Sequence, residues 1–146
     1  VAFWLVHGLN PSVWSSPIIG VNLFGAGVML GLAYQFSGNI WFPTAAHFGW
    51  NFAQGVLFDI PVSGMSLEGL IRLKPNDTMT TLTGGDFGLE GSIVITVLLA
   101  GMIAMLLYGI RSRKSKLEAQ VEAVSLESAS RTDSSDDPSS FDPASL

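Results

Sequence analysis

The sequence predicts an all-α protein: a polytopic transmembrane helical bundle of one truncated and three full membrane helices, followed by a disordered C-terminal tail. Three observations predict it. From Val1 to Phe58 there is no Asp, Glu, Lys or Arg, and the core of a soluble domain does not need an uncharged run of that length. Apolar stretches close to the roughly 20 residues that a bilayer demands recur along the chain. Arg111, Arg113, Lys114 and Lys116 crowd directly after the last of them. Composition agrees, with 48% hydrophobic residues and a mean hydropathy of +0.43, the apolar residues being concentrated before residue 111.

The first segment runs from before Val1 to about Leu9 and is stopped by Gly8 and by Asn10-Pro11, a pair that favours a turn. The second spans residues 17–36. Pro17 is acceptable in a first helical turn, and Gly20, Gly25, Gly27 and Gly31 offer small surfaces for close helix contact. Ser37-Gly38-Asn39 makes a short turn into the third segment, 40–58. The fourth is 91–110, whose polar side chains are Ser92, Thr96 and Tyr108. Between the third and fourth lies a polar connection, 59–90, with Arg72, Lys74 and the turn-rich Thr83-Gly84-Gly85-Asp86-Phe87-Gly88; a connection of that length is usually a cap, a lid or a partly helical excursion. The basic cluster at 111–116 places the C-terminus in the cytoplasm. Counting back, the 59–90 connection lies outside and the 37–39 turn inside a multi-pass protein of the cell membrane. Residues 1–116 are therefore read as the membrane domain. Residues 117–146, rich in Ser, Asp and Pro, are read as a disordered acidic tail that buries too little apolar surface to offset its ordering entropy.

The formal charge of −5 is carried by that tail, where Glu118, Glu122, Glu127, Asp133, Asp136, Asp137 and Asp142 face the single base Arg131. No basic face for nucleic acid exists. With no cysteine there is neither a disulfide framework nor thiolate chemistry. The start in mid-pattern, Val1-Ala2-Phe3-Trp4-Leu5-Val6, without an initiator Met, reads as a fragment, and no basic stretch precedes the apolar run as in a signal peptide. The expected contacts are membrane lipid and a peptide or protein at the membrane.

Polar groups at bilayer depth are costly unless they face protein or water, and they mark functional sites. His47 and Asn51 lie at i and i+4, so imidazole and carboxamide project from one side of a helix. The other histidine of the chain, His7, follows Phe3 at the same spacing. Each has a plainer reading. A lone histidine in an apolar helix is usually a hydrogen-bonded packing residue, Asn51 is interhelical glue, and Phe3 packs. Trp4, Trp14, Trp41 and Trp50 are interfacial anchors or core. Glu90 caps or salt-bridges the outer connection, or is solvated as a lone outer acid usually is.

The order Phe3-x-x-x-His7, then His47-x-x-x-Asn51 about forty residues later with one more helix between, resembles the CAAX-processing and bacteriocin-processing (CPBP) family of intramembrane proteases over roughly residues 1–110. That family carries a Glu-Glu-x-x-x-Arg helix ahead of these two motifs, and no Glu-Glu pair occurs in this chain. The resemblance implies an endopeptidase that hydrolyses a peptide bond near the bilayer with activated water. In it the glutamate and His7 would activate the water, while His47 and Asn51 would stabilise the oxyanion. The candidate catalytic residues are thus His7, His47 and Asn51, and the chain alone lacks its base. Physical chemistry divides the roles the same way: hydrolysis needs a proton acceptor for water and donors aimed at the oxyanion, and an Asn amide donates but does not titrate.

His7 and His47 are also the candidate ligands for a divalent metal such as zinc. The indication is weak, because zinc sites want three or four protein ligands at close range. A helix crossing fully outward would carry His7 away from His47, which lies about 10 to 12 Å from the inner end of its helix. The expectation is therefore that the first helix ends inside the membrane and that residues 8–16 are irregular chain lining a polar cavity, with Asn10, Ser12, Ser15 and Ser16 suited to it. A separation of the two imidazoles beyond about 12 Å would exclude a shared site. Competing readings are a non-catalytic membrane binding or bacteriocin-immunity protein on the same fold, and half of a transporter, which would call for an inverted repeat that the segments do not show.

Overall fold

A computed structural model describes residues 2–73 and 77–135. The chain divides into two compact units, Val1–Gly109 and Ile110–Leu146. Its helices are α1 (Ala2–His7), α2 (Pro17–Ser37), α3 (Trp41–Asn51), α4 (Thr80–Thr83) and α5 (Ile93–Ser135), joined by short 3-10 turns and, after α3, by a π-helical turn at Phe52–Leu57. Among the described residues the only β pairing is an isolated bridge, Val62 with Met65.

The second segment forms as its sequence dictates. Pro17 opens α2 at a position where its missing N–H is no loss, and Gly38, at φ +66°, closes it with a left-handed cap whose N–H donates to the Tyr34 carbonyl. Over 21 residues α2 is long and apolar enough to cross a membrane, and so is α5 up to Ser128. Much of each stays exposed, including Val21, Phe24 and Val28 on α2 and Val97, Leu98 and Met105 on α5. A helix apolar on all sides and uncovered by protein suits lipid.

The first segment is shorter than expected. Its helix stops at His7, and a 3-10 turn at Pro11–Ser15 follows, with Asn10 Oδ1 accepting from the Ser12 N–H. The third segment is not one α-helix: α3 ends at Asn51 and the backbone widens into the π turn, with the Phe58 N–H reaching back five residues to the Ala53 carbonyl. The 59–90 connection folds back on the structure as a cap. Leu70 and Ile71 donate to the carbonyls of Val56 and Leu57, and Asp59 holds both the Gly69 N–H and Arg72. Its Ile60, Val62 and Phe87 are buried. Lys74 to Asn76 of this connection lie outside the described residues.

The core of the first unit is Val13, Ile19, Leu23 and Phe87, with Phe3 and Trp4 packed against it. The glycines of α2 divide in their use. A β-carbon at Gly27 would lie 3.3 Å from that of Phe3, and one at Gly25 3.5 Å from Leu99, whereas nothing approaches Gly31. Close approach of α1 thus depends on Gly27.

The second unit corrects an expectation. Residues 117–135 do not form an irregular tail; they continue α5 as a helix, exposed over 117–128. The reason lies in the sequence between Leu117 and Ser128, rich in Leu, Glu, Ala and Gln, all good helix formers, with the Lys114–Glu118 and Glu127–Arg131 ion pairs at i,i+4 spacing. The Ser, Asp and Pro bias is concentrated further on, and residues 136–146 lie outside the described residues.

Candidate active site

His7 closes α1, and its Nδ1 lies 2.7 Å from the Phe3 carbonyl one turn back. A carbonyl can only accept, so Nδ1 carries the proton of that bond, which leaves Nε2 of the neutral ring with its lone pair free. Phe3 also stacks on His7, the ring centres 4.4 Å apart. The phenyl edge meets His47 of α3 at 5.3 Å and 85°. Both imidazoles lie against one phenyl ring, so their separation cannot exceed the sum of those two distances, which is inside the roughly 12 Å limit set for a shared site.

The His47–Asn51 pair forms as the spacing requires. Asn51 Nδ2 lies 3.3 Å from His47 Nε2. An amide nitrogen donates, so neutral His47 keeps its proton on Nδ1. Asn51 retains a second N–H, and its Oδ1 is buried without a hydrogen bond. Directly after Asn51 the π turn begins, and such turns recur at functional sites because they re-aim side chains without ending the helix. It buries Gln54, whose Nε2 donates to the Pro61 carbonyl and whose Oε1 has no partner.

A cavity of about 160 Å³ opens beside His47, walled by Phe3, Leu23, Ala46, Trp50 and Leu99, with Asn22 and Glu90 among its lining. His7 and Asn51 do not line it. The irregular 8–16 chain does not line it either: Asn10 Nδ2 instead donates to the Ser63 carbonyl, and Ser15 turns back on Ser12. The cavity is mostly apolar, with its polar groups supplied by α2, α3 and the connection.

Two of those polar groups were not read from the sequence as lining the cavity. Glu90, read from sequence as a solvated outer acid, is 9% exposed, and its Oε2 accepts from both the N–H and the Oγ of Ser63, at 2.9 and 2.7 Å. Its burial follows from the glycine-rich turn. At Gly88, φ is +92° and the Pro61 carbonyl leaves no room for a β-carbon, so 89–91 can fold against α2. Asn22 is buried at 2% exposure; its Nδ2 donates to the carbonyls of Glu90 and Ser92, and its Oδ1 accepts from Thr96 Oγ1. The signal for Asn22 was present, since it is the one strongly polar residue between Pro17 and Ala33, and the reasoning that singles out His47 applies equally to it. Glu90 acts electrostatically on His47, as His7 does.

Among the described residues no three His, Cys, Asp or Glu side chains gather closely enough to hold a metal ion. Two histidines fall short of the three or four protein ligands that a zinc site wants. The donor set among the described residues does not fit a zinc site.

Residues 1–53 match the family model described as type II CAAX prenyl endopeptidase Rce1-like. The match bears out the resemblance read from the motifs and contains all four motif residues, Phe3, His7, His47 and Asn51, although it ends well before residue 110. Nothing among curated proteins or solved structures matches the chain.

Proposed function

We propose that this chain, whose first 53 residues carry the sequence of the Rce1-like CAAX endopeptidases, contributes to an intramembrane endopeptidase that hydrolyses a peptide bond near the bilayer by activated water. In this reading three apolar segments cross the membrane and the first ends within it, the C-terminus is cytoplasmic, and 59–90 caps the outer side. His7 Nε2 is the acceptor that orients water together with an acid. The Glu-Glu-x-x-x-Arg motif that would supply that acid is not within the 146 residues, so the chain holds the histidine and amide part of the machinery. His47 and Asn51 are the donors for the oxyanion, Asn51 with the N–H not engaged by His47. The step is ordinary hydrolysis. Water loses a proton to the acid-histidine pair, its oxygen bonds to the carbonyl carbon, the C–N bond breaks, and the amine leaves with a proton.

The observation that carries the reading is the convergence of both imidazoles on the Phe3 ring, within the matched region. Proteoliposomes test it. Residues 1–146 alone should give no turnover of a membrane-proximal peptide, and fusion to a hydrophobic segment bearing Glu-Glu-x-x-x-Arg should confer it. Turnover by the chain alone, or undiminished turnover by the fusion carrying His47→Ala, contradicts the assigned roles. A second reading is a non-catalytic membrane binding or bacteriocin-immunity protein on the same fold. It predicts that partner binding persists in His7→Ala and His47→Ala and that no fusion confers hydrolysis.

A further inference from the structure

The cavity beside His47 contains a buried acid that the hydrolytic reading does not use. Glu90 Oε2 is held by Ser63, while Oε1 accepts no hydrogen bond among the described residues. No Lys or Arg among the described residues pairs with it. Of the titratable side chains lining the cavity only His47 can offset its charge, and a full cation from outside the chain would pair with it more strongly than a neutral imidazole does. The rest of the cavity points to what else such a ligand must have. Its walls include Leu23, Leu30, Leu99 and Met102, and its volume is about 160 Å³. An apolar pocket with a few convergent polar groups is the usual form of a ligand site.

We propose that this cavity binds a short aliphatic chain ending in a protonated amine, the chain against the leucine and methionine walls and the ammonium on Glu90 Oε1. A lysine side chain and a free alkylamine share that chemistry. Ser63 holds Oε2, which leaves Oε1 for a charge-assisted bond to the ammonium. Asn22 supports the site indirectly, because its amide holds the Glu90 backbone against α2. The site requires no hydrolysis, so it stands or falls separately from the endopeptidase reading.

Trp50 lines the same cavity and reports on it. With the full chain in nanodiscs, 6-bromohexylamine should quench tryptophan emission saturably, at concentrations roughly ten- to hundredfold lower than 6-bromohexanol. Trp50→Phe should remove the saturable component. Glu90→Gln should abolish the preference for the amine, and Glu90→Asp should keep part of it. Ala26→Leu, which narrows the apolar part and leaves the acid, should weaken amine and alcohol alike. If Glu90→Gln does not fold, the amine-to-alcohol ratio of the unaltered chain still decides. Equal quenching by amine and alcohol, or an undiminished preference in a folded Glu90→Gln, overturns the proposal. A lysine peptide that displaces the amine while its norleucine counterpart does not identifies a peptide side chain as the ligand, and displacement by neither identifies a free amine.

Discussion

The His47–Asn51 turn of α3 and the Ser63–Glu90 contact of the outer connection both bring polar side chains to one cavity region, but they are built in opposite ways. The first is local: two residues four apart on a helix meet because of helical geometry alone. The second joins residues twenty-seven apart through a backbone that needs a positive φ at Ser63 and at Gly88, and it is tied to α2 by Asn22 across sixty-eight residues. A helical pair persists when its surroundings loosen, whereas a contact assembled from distant segments depends on each of them. Substitution should therefore remove chemistry at the first and stability at the second.

The largest effect should come from His47→Ala, which is expected to lower hydrolysis by the motif-bearing fusion about 10² to 10⁴-fold while leaving thermal unfolding almost unchanged. A large fall in unfolding temperature instead would make His47 a packing residue. Asn22→Ala removes the partner of two carbonyls and a hydroxyl, and should destabilise the protein by roughly 2 kcal/mol in denaturant titration in detergent. A neutral result would show that water or lipid headgroups replace those bonds. Gly27→Val should drive Phe3 from its seat and cost about 1 to 3 kcal/mol, with loss of the His7–Phe3–His47 stack, whereas Gly31→Ala should stay within about 0.5 kcal/mol. Parity of the two would break the assignment of α1 to Gly27. The smallest effect belongs to the second unit: Lys114→Ala removes an exposed ion pair and should change helix stability by no more than roughly 0.5 kcal/mol.

What the sequence made legible follows the same division. The second segment, expected at 17–36, is α2 at Pro17–Ser37, because Pro17 and Gly38 mark its ends by their own backbone constraints. The pairing of Phe3 with His7 and of His47 with Asn51 was readable because each spans a single turn. The π turn after Asn51 was not, since nothing in Phe52–Leu57 departs from an ordinary helical pattern. Glu90 looked solvated because its burial is decided by Ser63 and Gly88, whose roles appear only once the connection has folded back. The continuation of α5 past Lys116 was hidden by averaging: composition over 117–146 is dominated by Ser, Asp and Pro that gather after Ser128, masking the helix formers before it.

The central claim is that the two imidazoles share the Phe3 ring inside the membrane domain. Dipolar recoupling by solid-state NMR, on protein in lipid with ¹⁵N-labelled histidine and ring-¹³C phenylalanine, measures it directly. His7→Gln and His47→Gln assign each contact, and Phe3→Leu removes both. The account predicts two histidine-to-Phe3 couplings of similar strength, matching ring centres 4.4 and 5.3 Å apart. A single coupling that vanishes with His7→Gln and is untouched by His47→Gln would contradict it.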